Sequence, residues 1–160
     1  MIQAVRETGF KAYLSLEDSR IDTSVALTQV RHLFKFINDM DKAVFYAYPN
    51  TETAYERYTK CTFLYNITPN VYTGDTKLIP AGYYKYEVYE VTWEGTVTIS
   101  TGNAPVTEDD VLTPPAATKG IVQGLMGIGK LYLAEKAGDE QVQYNQHPEP
   151  SETNYIYYGQ

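Results

Sequence analysis

The feature that most constrains the fold is a run of alternating side chains from residue 83 to about residue 93. Tyr84, Tyr86 and Val88 fall on one side of this run, while Lys85 and Tyr89 fall on the other. A period of two residues is that of a β-strand with one face buried, and it is incompatible with a helix. The run therefore predicts a long strand in the middle of the chain.

Shorter runs with the same period flank this strand and are separated by turn residues. Asn38 to Asp41 is such a turn, and it predicts a hairpin between the runs on either side of it. Regular spacing of short strands favours an all-β fold and excludes alternating βαβ units. We expect a single antiparallel β-sandwich of seven to eight strands, immunoglobulin-like, or a jelly roll as the second choice. The other candidate strands are residues 10–16, 30–37, 44–48, 58–65, 96–99, 130–134, 141–144 and 154–158.

Composition limits the possible functions. The chain has 160 residues, enough for one domain that folds without a metal or disulfide, and Cys61 is its single cysteine. A net charge of −7 argues against a general basic surface for nucleic acid. No apolar run approaches the ~20 residues of a membrane span, so direct membrane insertion is not expected. The unusual figure is 16 tyrosines, a residue common in strands and at protein interfaces.

Two segments interrupt the strand pattern. Residues 101–120 are polar and rich in turn residues, which predicts a long loop that is either functional or an arm. Residues 1–145 are therefore assigned to the β-sandwich domain with this loop, and residues 146–160 to a C-terminal spacer and tail. The tail either completes the sheet as a last strand or docks on a neighbouring molecule through Tyr155, Tyr157 and Tyr158.

The start of the long strand carries a specific pattern. Gly82, Tyr84 and Tyr86 are spaced as in the tyrosine corner of immunoglobulin-like domains, where a tyrosine hydroxyl bonds back to the preceding turn. Tyr86 stands where antibody domains have a cysteine, so an inter-sheet disulfide is excluded. The alternative is a tyrosine-rich edge strand without the corner.

No catalytic, cofactor or metal site is predicted. Residues 124–130 match the first positions of a phosphate-binding loop, but Leu131 replaces the required serine or threonine and no helix is predicted to follow. Glycines that permit a bend are the better interpretation. His32 and His147 are isolated from other ligand residues, and the acidic groups at 39–41 and 108–110 lack the spacing of a calcium loop. We expect no enzyme activity.

Several short motifs in a fixed order carry a resemblance to a known family. They are Leu33 to Asp39, Glu56 to Tyr58, Ala81 to Glu90, Gly127 to Leu131 and Asn154 to Tyr158. In this order they resemble small uncharacterised virion structural proteins of bacteriophages that infect Bacteroidetes, including marine and freshwater flavobacterial phages. The resemblance spans residues 10 to 158, except the segment 95–120, and it implies a β-sandwich fold without catalytic residues.

The resemblance implies a minor capsid component of the virion: a penton or vertex, decoration or head–tail protein. Its partners would be the major capsid protein or neighbouring subunits, and repeated contacts favour a homo-oligomer. The alternative is a carbohydrate- or host-surface-binding β-sandwich module. The residues predicted to make contacts are Tyr83, Tyr89, Trp93, Tyr155, Tyr157 and Tyr158.

Overall fold

The computed structural model describes residues 1–138, and this part of the chain is all-β as predicted. Its only helical segments are two 3₁₀ turns, Glu17–Ser19 and Leu27–Gln29, so no described helix has the length and apolarity to span a membrane. The strands are β1 (Ile2–Val5), β2 (Phe10–Leu14), β3 (Val30–Asn38), β4 (Val44–Ala47), β5 (Thr51–Ala54), β6 (Thr59–Tyr65), β7 (Asp75–Thr76), β8 (Gly82–Thr92) and β9 (Ile121–Ala134).

These strands form two sheets. The first sheet has the order β1-β9-β8-β3-β4; the second has the order β2-β6-β5, with β7 added beside β6. Most pairs are antiparallel, including the predicted hairpin of β3 and β4, but β1 pairs with β9 and β7 with β6 in parallel. The expectation of a wholly antiparallel arrangement was therefore wrong. Both parallel pairs involve strands of two to four residues, which are too short to show a period in the sequence.

The inner faces of the two sheets pack against each other. Phe34 and Phe36 of the first sheet and Phe63 of the second are fully buried, and the rings of Phe34 and Phe63 meet edge to face with centroids 4.9 Å apart. Cys61 lies on the same inner face, and burial raises the pKa of its thiol. The alternate residues of β3 and β6 thus join the two sheets.

A second buried cluster lies on the outer face of the first sheet, beneath residues 94–120. Trp93 is its largest side chain and is fully buried; its indole N–H donates to the carbonyl oxygen of Asn103 at 3.3 Å. The hydroxyl of Tyr48 donates to the carbonyl oxygen of Pro105 at 2.8 Å. The predicted loop is therefore a cover over one half of this face. Residues 96–99, expected to continue the sheet, belong to this cover and form no strand.

Strand β9 is bent, as its glycines predicted. Its pairing with β8 shifts register twice, and Met126 and Gln123 are the extra residues of β9 at these bulges. Gly129 allows the ring of Tyr86 to lie against the backbone of β9, because a Cβ at this position would sit 2.3 Å from the Tyr86 hydroxyl oxygen. Gly129 therefore serves strand packing, and the segment 124–130 continues as strand to Ala134 instead of opening a helix.

Candidate functional site

Within residues 1–138, no segment covers the other half of the outer face of the first sheet. We name it the open face, and define it by Tyr83 and Lys85 of β8 and Ile128, Lys130 and Tyr132 of β9. Tyr83 and Tyr132 stand opposite each other across the two strands, with ring centroids 5.0 Å apart and with 54% and 38% of their surface exposed. Ile128 is also exposed, at 57%. The open face thus presents large apolar groups on a rigid sheet.

The lysines of the open face have acidic partners. Lys130 Nζ lies 2.5 Å from the carboxylate of Asp39, and Lys85 Nζ lies 2.6 Å from that of Glu87. These pairs neutralise the cations beside the tyrosines. A partner of the open face therefore meets mainly apolar and hydroxyl groups, which is the composition that favours protein–protein contacts over binding to phosphates.

A polar network marks the border between the open and covered halves. Glu108 of the cover accepts hydrogen bonds from Lys35 of β3 and from the hydroxyl of Tyr46 of β4, the latter at 2.6 Å. Burial opposes ionisation of Glu108, but these hydrogen bonds outweigh burial and lower its pKa. Burial and the contact with Glu108 raise the pKa of Tyr46 to about 12. The network holds the cover on the sheet.

The predicted contact residues fall in different environments. Tyr83 is exposed on the open face, whereas Tyr89 is half-buried and its hydroxyl donates to Glu87 at 2.7 Å. Trp93 has no exposed surface, so its ring cannot contact another molecule; this corrects its assignment to an interface. Sequence alternation placed Trp93 on the outer face but could not show that residues 94–120 cover it. Tyr155, Tyr157 and Tyr158, and the candidate strand 141–144, lie outside the described residues.

The hydrogen bond expected of a tyrosine corner is present at the start of β8. The Tyr84 hydroxyl donates to the carbonyl oxygen of Pro80, four residues earlier, at 2.6 Å. Gly82 between them has a φ of +132°, which explains the glycine at this position. Burial raises the pKa of Tyr84, as it does that of Tyr86. These residues stabilise the fold and do not form part of a reacting site.

A second group of exposed tyrosines was not singled out from the sequence. The Tyr58 ring lies 4.9 Å from that of Tyr55 and 5.6 Å from that of Tyr13, measured between centroids. All three are exposed, on the second sheet and in the turn between β5 and β6. Tyr13 and Tyr58 occupy outward positions of the alternating pattern, and this signal could have identified them. We call this group the tyrosine cluster.

A cavity of about 250 Å³ with both polar and apolar lining residues lies between β3 of the first sheet and β5 and β6 of the second, beside the tyrosine cluster. We call it the end cavity. Buried residues of both sheets, among them Val30, His32 and Thr59, form its floor; exposed residues form its mouth. The lining residues are Glu17, Arg20, Leu27, Thr28, Val30, Arg31, His32, Glu52, Ala54 and Thr59.

The floor of the end cavity contains a histidine–glutamate pair that joins the two sheets. Nδ1 of His32 lies 2.5 Å from Oε1 of Glu52, and the two side chains are 8% and 13% exposed. The second carboxylate oxygen of Glu52, Oε2, is buried and has no hydrogen-bond partner within residues 1–138. An unsatisfied buried acceptor costs about 1–3 kcal/mol, so this atom needs an explanation. The sequence pattern left His32 as either a packed or a surface residue; the structure buries it, and the pattern gave no sign of its partner Glu52.

The wall of the end cavity is a folded segment held by two charged side chains. Arg20 donates from Nη2 to the carbonyl oxygens of Asp22 and Val25 at 2.7 and 2.8 Å. Glu90, fully buried, accepts backbone N–H bonds from Ile21 and Asp22 at 2.9 and 2.8 Å. These bonds, which include two to the Glu90 side chain of β8, hold residues 20–25 in place beside the cavity.

The histidines and acidic groups that the sequence analysis considered as metal ligands can be compared with the structure where they lie in its described part. Within residues 1–138, no three histidine, cysteine, aspartate or glutamate side chains converge as a metal site. Asp110, one of the candidate calcium ligands, instead accepts the backbone N–H groups of Val106 and Thr107, which lowers its pKa. His147 lies outside the described residues.

Comparison with known proteins identifies no relative: no family model, no curated protein and no solved structure matches this chain.

Proposed function

We propose that this chain is a structural protein of a bacteriophage virion, a minor capsid component at a vertex, on the capsid surface or at the head–tail junction. It acts by protein–protein contact, and its partners are other virion proteins and further copies of itself. Two things support this proposal: the order of motifs that resembles phage virion proteins, and the open face.

The open face is the observation that carries the proposal. The outer face of the first sheet has two different halves. One half is buried under residues 94–120, and the other half presents Tyr83, Tyr132 and Ile128 to solvent. Tyrosines on adjacent strands supply large, rigid contact area at a small entropic cost. A neighbouring subunit on the open half would extend the packing that the chain's own cover provides on the other half.

We further propose that the two sheets form an immunoglobulin-like sandwich in preference to a jelly roll. The order β9-β8-β3 in one sheet and β2-β6-β5 in the other corresponds to strands G-F-C and B-E-D of that fold, and β4 extends the first sheet as C′ does. The Tyr84 hydrogen bond at the start of β8, which corresponds to strand F, supports the same choice.

The virion assignment is tested on purified phage particles. Mass spectrometry of particles from the phage that encodes this chain should detect it at a fixed ratio to the major capsid protein. Particles are then treated with high salt, and the chain should stay with them while loosely adsorbed proteins are removed. Absence from washed particles contradicts the proposal.

A further inference from the structure

We propose that the end cavity binds one neutral sugar ring, with the tyrosine cluster at its mouth as a platform for an adjoining sugar. The proposal does not depend on the virion assignment, because it concerns a different surface from the open face. Glu17 lines both the end cavity and the shallow depression that contains Tyr55 and Tyr58, so the two features adjoin.

The unused hydrogen-bonding atoms define what the ligand must offer. Because Nδ1 of His32 is engaged by the Glu52 carboxylate, the other ring nitrogen, Nε2, is the one left for a ligand; it accepts a hydrogen bond in the neutral ring and donates one in the charged ring. Nε2 has no partner within residues 1–138 and is not sealed from solvent. In the described part of the chain, Glu52 Oε2 is a further acceptor without a partner and Arg20 Nε is a donor without one, and both residues line the cavity. A hydroxyl group can satisfy both kinds of atom, because it donates and accepts.

The charges around the cavity select a ligand without net charge. Arg20 and Arg31 contribute two positive charges to the lining, and Glu17 and Glu52 contribute two negative charges. An anion would be attracted by the two arginines but repelled by the two carboxylates. A cation would be attracted by the carboxylates but repelled by the arginines. A neutral molecule with several hydroxyl groups avoids both penalties, since each hydroxyl can orient toward either charge.

Size and shape favour a single ring. A volume of about 250 Å³ lies just below the range of roughly 300–1,000 Å³ that is usual for small-molecule pockets. Apolar Val30, Leu27 and Ala54 alternate with the polar lining groups, and a pyranose offers C–H faces for the former and hydroxyls for the latter. Exposed tyrosine rings at the mouth can stack on the next sugar of a chain.

The direct test is a titration followed by ¹H–¹⁵N NMR of the full chain. The probes are the methyl glycosides of D-glucose, D-galactose, D-mannose and N-acetyl-D-glucosamine, with sodium acetate and methylammonium chloride as charged probes. At least one glycoside should shift the amide signals of residues 17–32 and 52–59 saturably, with a Kd of about 1 mM or below. If no glycoside binds, or if acetate or methylammonium binds at these residues instead, the proposal is wrong.

Two variants of β5 locate the binding site. Ala54 is exposed at the mouth, so Ala54→Trp should block entry and weaken glycoside binding at least tenfold. Thr53 is exposed on the same strand but does not line the cavity, so Thr53→Trp is the matched control and should bind as the unmodified chain does. Equal binding by both variants would place the sugar elsewhere and overturn the proposal.

A third variant tests the chemistry of the floor. Glu52→Gln keeps the shape of the side chain but replaces an acceptor oxygen by a donor, and it should also weaken binding at least tenfold. Glu7→Gln, in the exposed turn between β1 and β2, lines neither the cavity nor the depression of the tyrosine cluster; it is the control and should leave binding unchanged. Unchanged binding by Glu52→Gln would show that the carboxylate does not receive the sugar hydroxyl.

Discussion

At the scale of single residues, the tyrosines have different roles in the structure, and the sequence pattern distinguishes only some of these roles. Tyr84 and Tyr83 are neighbours in β8, yet Tyr84 is fully buried with its hydroxyl bonded to Pro80, while Tyr83 is exposed. Alternation predicts this difference in burial. It does not predict which buried hydroxyl finds a partner, and that depends on the turn before the strand.

The Tyr84 hydrogen bond can be removed without changing the shape of the side chain. We expect Tyr84→Phe to lower the free energy of unfolding by about 1 kcal/mol, the usual net contribution of one hydrogen bond. Urea denaturation followed by tryptophan fluorescence measures this change. Tyr83→Phe is the control on the exposed neighbour and should leave stability unchanged. Equal stability of Tyr84→Phe and the unmodified chain would contradict the assigned role.

Gly129 and Gly127 allow a matched comparison on β9. A Cβ at position 129 would lie 2.3 Å from the hydroxyl oxygen of buried Tyr86, whereas at position 127 its nearest neighbour is a methyl of Leu16 at 4.0 Å. We expect Gly129→Ala to destabilise the fold by about 1–3 kcal/mol through overpacking, and Gly127→Ala to have little effect. Thermal denaturation of both variants measures the difference. Similar melting midpoints for the two variants would show that the Tyr86 side chain moves away from the added methyl group at little cost, and would contradict this expectation.

At the scale of elements, the cover of residues 94–120 determines which part of the first sheet is buried and which part is exposed. It buries Trp93 and leaves the open face beside it, and it is tied to the sheet through Glu108. Ion pairs and hydrogen bonds of Glu108 are partly shielded from water, since Lys35 and Glu108 are 17% and 18% exposed. Their contribution to stability should therefore exceed that of a surface pair.

The role of Glu108 has a predictable pH dependence. Its pKa is lower in the folded protein than its ordinary value of 4.5, so its stabilisation is full above that value and is lost as the pH falls through the folded pKa. We expect Glu108→Gln to be about 1 kcal/mol less stable at about pH 7, and this difference should shrink at about pH 3. Urea denaturation at both pH values measures it. Asp109→Asn, an exposed neighbour, serves as control; a deficit that does not change with pH would contradict the assignment.

The elements also show how far the sequence could be interpreted. Strands with long alternation, above all β8 and β3, were predicted, because burial of one face imposes the period. For β8 the pattern also grouped Tyr84, Tyr86 and Val88, which are buried together in the structure. Strands β1, β5 and β7 have two to four residues and were missed, since so short a run shows no clear period. Strand β4 is equally short, but it was predicted from the turn at residues 38–41 that precedes it. The end cavity was missed for a different reason: His32 and Glu52 are 20 residues apart and lie on different sheets, so only the packing of the sheets brings them together.

At the scale of the whole molecule, different surfaces have different properties. The outer face of the first sheet is half covered by the chain and half open, and the end of the molecule near β5 carries the end cavity and the tyrosine cluster. A contact protein that also binds sugar would use these surfaces independently. Variants of one surface should therefore leave the other unaffected.

The most direct test of the central claim is the oligomeric state, measured by native mass spectrometry over a range of protein concentrations. The unmodified chain should form a discrete oligomer, and the double variant Tyr83→Ser, Tyr132→Ser should be monomeric because it removes the rings of the open face. Tyr13→Ser, on the second sheet, should assemble as the unmodified chain does. A monomeric unmodified chain, or a double variant that still assembles, would contradict the claim that this protein works through the open face.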